Sequence, residues 1–412
     1  MNHAAPVNLP TDSDPWMRNL IVVLFGSFTT IVAMTLLLPI LPIYVEELGV
    51  TDHAAIVQWS GIAYGACFFS AALTAPLWGR LGDRYGRKLM LIRASFGMAI
   101  AMSLTGMAHD VYQLVLLRLL TGLLGGYSSG SMVLVAAQTP KERTGWALGV
   151  LSAGTMAGNL VGPLIGGTLP SLIGIRGSFL LVGGVIFFTF LATTFLIHEK
   201  KRSGLAKEKV KANWDAIPDR RPVYAMLMTG CLLMLANMSI EPIITVYVNT
   251  LVDNAHVAFV AGLVMSAAAL GSILSASKLG AVADRVGHWR VVVICLTVAA
   301  VLLVPQAYVT SAWQLIVLRF LMGLALGGLL PAITSVIRHN VPERMTGSIL
   351  GYSISSQYVG QVVGPVIGGF VGGHIGMRAV FLATAVIMAA GAAGNYLLEK
   401  RISPRTAVRA AL

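Results

Sequence analysis

Charge is scarce in this chain, and acidic charge is scarcest. Only 11% of the 412 residues are charged, with 17 Asp and Glu against 29 Lys and Arg. Beside 56% hydrophobic residues and a mean hydropathy of +0.78, that scarcity excludes an ordinary soluble globule, which could not hide so much apolar surface. Cysteine is almost absent too. Cys67, Cys231 and Cys295 are odd in number and sit in apolar runs, so no disulfide framework follows and they read as small buried hydrophobes. The eight histidines fall in loops or tails, so no metal cluster is expected. No Ser-His or His-Glu constellation is embedded in an apolar run and there is no nucleotide-binding loop, which argues against an enzyme and an ATP-driven pump. Residues 1–17 are polar and contain Pro6, Asp12, Asp14 and Pro15, so they lack the apolar core of a secretory signal.

What the chain does have is long apolar runs. A membrane-spanning helix needs about 20 mainly apolar residues. Twelve stretches qualify, near 18–45, 57–79, 89–107, 111–137, 146–168, 177–197, 222–249, 257–281, 290–309, 312–338, 347–372 and 378–398. They are too long and too uniformly apolar for barrel strands, so helices are expected throughout. The +12 net charge suggests nucleic acid only until the basic residues are located. They lie between the apolar runs, and no nucleic-acid partner is expected. With both termini cytoplasmic, the inner loops and adjoining helix ends carry nearly all of them, including Arg80, Arg84, Arg87, Lys88, Lys200, Lys201, Arg285 and Lys400. The outer loops carry only Arg176 and Arg378, while Arg118 and Arg319 lie deep in helices. That asymmetry fixes the expected orientation.

The chain also repeats itself. G-x(8)-G-x(3)-G-P-x-x-G-G occurs at Gly149, Gly158, Gly162, Pro163, Gly166 and Gly167, and again at Gly351, Gly360, Gly364, Pro365, Gly368 and Gly369. Gly79, Asp83, Arg84 and Gly86 match Gly280, Asp284, Arg285 and Gly287. Arg118 matches Arg319, Gly174 matches Gly376, and Pro39 and Tyr44 match Pro242 and Tyr247. Parallel repeats of this kind are a transporter signature, with the substrate site between the halves. The expected organisation is a cytoplasmic tail at 1–17, a six-helix bundle at 18–197, a cytoplasmic linker at 198–221, a second bundle at 222–398 and a cytoplasmic tail at 399–412. The linker clusters HEKKR, KEK and DRR read either as a solvated connector or as a patch for membrane lipids.

On these residues the chain resembles the major facilitator superfamily over nearly its whole length. GRLGDRYGRK, from Gly79 to Lys88, is similar to the family's loop between helices 2 and 3. The resemblance implies a conformational latch of Gly79, Asp83, Arg84, Gly86 and Arg87, in which Asp83 meets a helix N-terminus across the half-to-half interface. LVLLRLLTG, from Leu114 to Gly122, is similar to the helix 4 motif and implies a proton-transfer role for Arg118; a structural arginine bonded to helix carbonyls is the other reading. The first Gly-Pro element is similar to the helix 5 antiporter signature, while a packing role is expected of the second copy. Within the family the chain resembles the twelve-helix drug–proton antiporters. This implies an all-α major facilitator fold of two pseudo-symmetric six-helix bundles in a bacterial inner membrane. It also implies a monomer that takes small-molecule drugs and protons and uses a proton gradient in place of any cofactor. Export of sugars or other small polar metabolites is the alternative.

Glu241 is the one acid inside an expected span. An intramembrane acid is a functional candidate by default, here for carrying the coupling proton, although its place toward the outer end also fits a hydrated interfacial carboxylate. Polar positions at helical spacing sketch a cavity. Ser353, Gln357 and Gln361 share one face, with Leu151, Thr155 and Asn159 as their repeat partners, and Asn237 shares a face with Glu241. Each could touch substrate or bond to a neighbouring helix. Met34, Met265 and Tyr358 would add the adaptable apolar surface that broad specificity needs.

Overall fold

The computed structural model describes residues 15–199, 214 and 217–410. The tail at 1–14 and the linker clusters around Lys200–Arg202 and Lys207–Lys209 lie outside the described residues. Thirteen α-helices carry the described chain, beside a few 3-10 turns. They are α1 Pro15–Glu47, α2 His53–Tyr85, α3 Arg87–Thr105, α4 Val111–Leu124, α5 Tyr127–Gln138, α6 Thr144–Leu196, α7 Arg221–Asn249, α8 Val257–Val286, α9 His288–Gln306, α10 Ala312–Leu326, α11 Leu329–Asn340, α12 Thr346–His374 and α13 Met377–Ala410. Ten segments are apolar and long enough to cross a membrane. One of them runs from Lys141 to Leu196 and turns back at Gly174, whose φ of 74° no helix interior adopts. Its repeat mate Gly376 (φ 120°) separates α12 from α13 in the same way. Counting both limbs of that segment, and α12, whose glycines, serines and glutamines lower its hydropathy, is in keeping with the twelve spans expected from sequence.

Two of those spans are not continuous. The run at 111–137 breaks into α4 and α5 at Gly125 and Gly126, and the run at 312–338 into α10 and α11 at Gly327 and Gly328. Gly126 takes the left-handed region (φ 103°), which a residue with a Cβ would adopt only under strain. The carbonyls freed by the first break are not left bare. Trp78 Nε1 donates to Leu123 O at 2.8 Å and Arg93 Nη2 to Gly125 O at 3.0 Å, with the Arg93 guanidinium 3.6 Å above the Trp78 ring. Donors from neighbouring helices are one way in which a break inside a membrane helix is tolerated.

The two Gly-Pro elements do the same work in each half. A Cβ on Gly158 would lie 2.9 Å from Ile31 Cγ2, and Cβ atoms on Gly162 and Gly166 would strike Thr35 and Leu36, so these glycines bring α6 against α1. Gly360, Gly364 and Gly368 bring α12 against α7 at Cys231, Leu235 and Ser239. The last glycine of each element faces the opposite half. A Cβ on Gly167 would lie 2.5 Å from Ala258 O on α8, and one on Gly369 would lie 2.9 Å from Val57 O on α2. Small residues permit such close backbone approach, which is how helices associate tightly in lipid.

Candidate functional site

The halves meet at one end of the bundle and part at the other. The contacts between α2 and α12 run from Ala54 with Gly373 to Gly65 with Val362, and those between α6 and α8 from Gly167 with Ala258 to Leu160 O, which accepts a 2.7 Å hydrogen bond from Ser266 Oγ. All lie toward the end whose loops hold few basic residues. Toward the basic end the same helices separate: nothing lies within 4 Å of a Cβ built on Gly79, Gly149, Gly280 or Gly351. A space between the halves therefore opens to the basic end alone.

The roof of that space holds the buried charges. Arg118 on α4 is 1% exposed, and its Nη2 reaches Met102 Sδ and Thr121 Oγ1, both at 3.2 Å. Arg319 on α10 is 3% exposed, yet its Nε and Nη2 find no partner. Glu241 on α7 is half-buried, with Oε2 shut away from solvent and likewise unpartnered. One carboxylate oxygen is therefore shielded while the residue as a whole keeps part of its exposure. Arg319 and Glu241 act on each other electrostatically, while Tyr64 on α2 feels both Glu241 and Arg118. Cys67, one turn from Tyr64, interacts with Arg118 and also with Tyr358 on α12. Glu241 thus interacts electrostatically with Tyr64 across the half-to-half interface and with Arg319 in its own half, without a hydrogen bond to either.

The residues sketched from sequence divide into several groups. Gln361 Nε2 reaches Met234 Sδ at 3.6 Å, Gln357 Nε2 reaches Ser353 Oγ at 3.4 Å, and the Gln357 side chain packs beside Gly230. Both glutamines therefore serve the contact of α12 with α7. Thr155 Oγ1 returns its bond to Leu151 O of its own helix. Asn237 is half-buried and Asn159 exposed, and among the described residues neither side chain finds a hydrogen-bond partner. Met34 is partly buried against the main core, to which Met265 belongs, and Tyr358 is half-buried. The signature loop lies at the open end. Asp83, 52% exposed, pairs there with Arg87, and Arg84 stands over the Tyr85 ring at 5.2 Å. The N-terminus of α3 is capped by Glu199, whose carboxylate accepts from Arg87 N at 2.9 Å and Lys88 N at 2.8 Å. Sequence reasoning missed Tyr64 and set Arg319 aside as a mere repeat mate. The available signal for Arg319 was that its helix carries Met322 where Thr121 supports Arg118, leaving the guanidinium short of a partner.

Helices paired by glycine across a pseudo-repeat, with ionisable residues at their junction, define a secondary transporter of the major facilitator fold. The sequence profile of the Major Facilitator Superfamily matches residues 23–304 and 254–411, and the chain belongs to that family. It is 39% identical over 404 residues to the multidrug resistance protein MdtG of Salmonella dublin, covering 97% of this chain and 99% of that one. It is 40% identical to the MdtG of Enterobacter lignolyticus over 387 residues, 93% of this chain and 91% of that one. Among solved structures, a bacterial homolog of the human lysosomal transporter Spinster superposes with a TM-score of 0.79 at 15% identity, covering 95% of this chain and 98% of that one. The nucleoside transporter NupG superposes with a TM-score of 0.75 at 14% identity, over 94% and 99% of the two chains. The protein is a multi-pass integral membrane protein of this family.

Proposed function

We propose that the protein exports amphipathic drugs from the cytoplasm in exchange for protons, by alternating access. The buried, unpartnered carboxyl of Glu241 at the junction of the halves carries this reading. A membrane protein keeps such a group where an ion must bind and leave. With the basic end cytoplasmic, as the distribution of Lys and Arg favours, the conformation described here faces inward. Drug enters the open space from the cytoplasm. The Glu241 proton leaves to water on that side, the halves rock about the glycine contacts, and a proton taken from outside displaces the drug. Arg118 acts at a distance through Tyr64, by stabilising negative charge near the junction. Asn237, Met34, Met265 and Tyr358 surround the substrate, and Asn159, Thr155, Gln357 and Gln361 lie on the helices that line its route. Asp83 with Gly79, Arg84, Gly86 and Arg87 latches the basic end when it closes. The names of the MdtG relatives support drugs as the substrate class. The protein acts without catalysis or cofactor, as a monomer in a bacterial inner membrane with both termini cytoplasmic.

The test is transport in proteoliposomes under an imposed pH gradient, with ethidium and a labelled sugar as probes. Wild type should move the dye and not the sugar, and Glu241→Gln should lose gradient-driven movement by at least about tenfold, as for loss of a residue essential to coupling. Undiminished gradient-driven transport by Glu241→Gln would remove the proton-carrier assignment.

A further inference from the structure

The buried charges at the roof are not arranged alike. Arg118 is held: its guanidinium has Met102 and Thr121 as partners. Arg319 is not. Met322 stands where Thr121 stands in the first half, and no hydroxyl is offered. Two of the three guanidinium nitrogens of Arg319 are buried and unpartnered, as is Glu241 Oε2. Nearby, Gln306 directs its amide nitrogen to Met322 Sδ at 3.5 Å and leaves Oε1 buried without a partner. No ion pair within 4.0 Å joins Glu241 to any described residue. Unsatisfied buried groups of opposite character, concentrated in one place, call for an explanation.

We infer that Arg319 is the positioning residue for the Glu241 proton: the countercharge that receives the carboxylate once its proton has left. This rests on Glu241 being the proton carrier. The proton passes from the carboxyl oxygen to water in the space open to the basic end, and no other bond is made or broken. The resulting carboxylate closes on the Arg319 guanidinium, directly or through one water, which satisfies the groups now bare. When Glu241 is protonated again, the pair parts, and the separated arrangement is the one described here. The groups facing Glu241 are Arg319 from α10 and Tyr64 from α2, with Arg118 and Cys67 behind Tyr64. Arg118 keeps two hydrogen bonds through Nη2 and leaves only Nε bare, whereas Arg319 leaves both Nε and Nη2 buried without a partner. A role confined to holding helices together would have given Arg319 hydrogen bonds to backbone or hydroxyl oxygens, as Arg118 has to Thr121.

Infrared difference spectroscopy of the purified full chain in detergent tests this without any substrate. The carboxyl C=O band that disappears in Glu241→Gln is titrated between about pH 5 and 9. Arg319→Gln should move the midpoint of that band by about one pH unit or more, Arg319→Lys should return it most of the way, and Arg118→Gln, acting only through Tyr64, should move it by less than Arg319→Gln does. A Glu241-dependent band whose midpoint is the same in Arg319→Gln and wild type overturns the inference while leaving Glu241 as carrier. Absence of any Glu241-dependent band across the range overturns the proton-carrier reading itself. If Arg319→Gln folds poorly, the double variant Glu241→Gln with Arg319→Gln should recover the folded yield, because neither buried charge is then left alone. Failure of the double variant to recover counts against the pairing.

Discussion

The first half of the chain holds its buried arginine in hydrogen bonds, and the second half holds its own opposite an acid. Much else is common to both. Tyr44 OH donates to Thr105 O at 2.6 Å, and its mate Tyr247 donates to Gln306 O at 3.0 Å. Each tyrosine packs on a phenylalanine of the last helix of its half, with ring centroids 5.4 and 5.2 Å apart. The glycine contacts correspond position by position. The differences fall on side chains at the junction: Leu38 against Glu241, Tyr64 against Met265, Thr121 against Met322 and Gly65 against Ser266. The repeat keeps the glycine backbone contacts in both halves, and the buried acid stands in only one of them. A symmetric pair of acids would place two like charges near each other at the junction, which a low-dielectric setting penalises.

The glycine equivalence is the strongest claim to break. Gly166 and Gly368 face helix backbone within their own halves, at Leu36 and Ser239. Leucine at either site should cost about 3 kcal/mol or more by overpacking and should lose the folded protein. Gly167 and Gly369 face the opposite half, so leucine there should leave each bundle folded and prise open the sealed end. Size-exclusion yield reads the first effect, and labelling of a cysteine introduced at the sealed end reads the second. If Gly368→Leu folds normally while Gly166→Leu does not, the two copies are not equivalent.

The broken helices sharpen the comparison at an intermediate scale. In the first half, Arg93 and Trp78 supply donors to the freed carbonyls; their repeat mates are Leu279 and Ile294, which have none to give. Arg93→Leu leaves the half-buried Gly125 carbonyl without its donor, while Leu123 O keeps Trp78, so it should destabilise the protein by about 1 to 2 kcal/mol, whereas Ile294→Leu should change it by less than about 1 kcal/mol. Thermal unfolding in detergent checks both. Equal effects would mean that the two breaks are held in the same way.

Sequence made the fold legible because hydropathy, charge asymmetry and repetition each survive without tertiary detail. It did not reveal that 111–137 and 312–338 break, since glycine pairs are tolerated in continuous membrane helices and a break depends on donors brought from elsewhere. Arg93 and Trp78 come from other helices, and nothing in their local spacing points to Gly125. Periodicity also put Gln357 and Gln361 correctly on one face of α12, yet it could not say which helix that face meets. They meet α7 at Gly230 and Met234. The candidate acid was legible because Glu241 is alone in its span. The countercharge proposed for it was not, because Arg319 is marked only by the hydrogen bonds it lacks.

The smallest expected effect tests the symmetry of the seal itself. Ser266 Oγ donates to Leu160 O across the halves at 2.7 Å. At the equivalent crossing Gly65 has no hydroxyl, and a Cβ there would lie 3.0 Å from Val362 O, the mate of Leu160 O. One of the two crossings thus carries a hydrogen bond that the other lacks, and that bond exists only while the sealed end is shut. Interhelical hydrogen bonds of this kind in membranes are worth about 0.6 kcal/mol, so Ser266→Ala should shift the balance roughly threefold toward the form open at that end. Folding should be unchanged, because each bundle keeps its own contacts. Spin-label distances between α2 and α12 and between α6 and α8 would measure the shift. A hydrogen bond that locked only its own crossing would widen α6–α8 alone, whereas rigid rocking of the halves requires both distances to lengthen together.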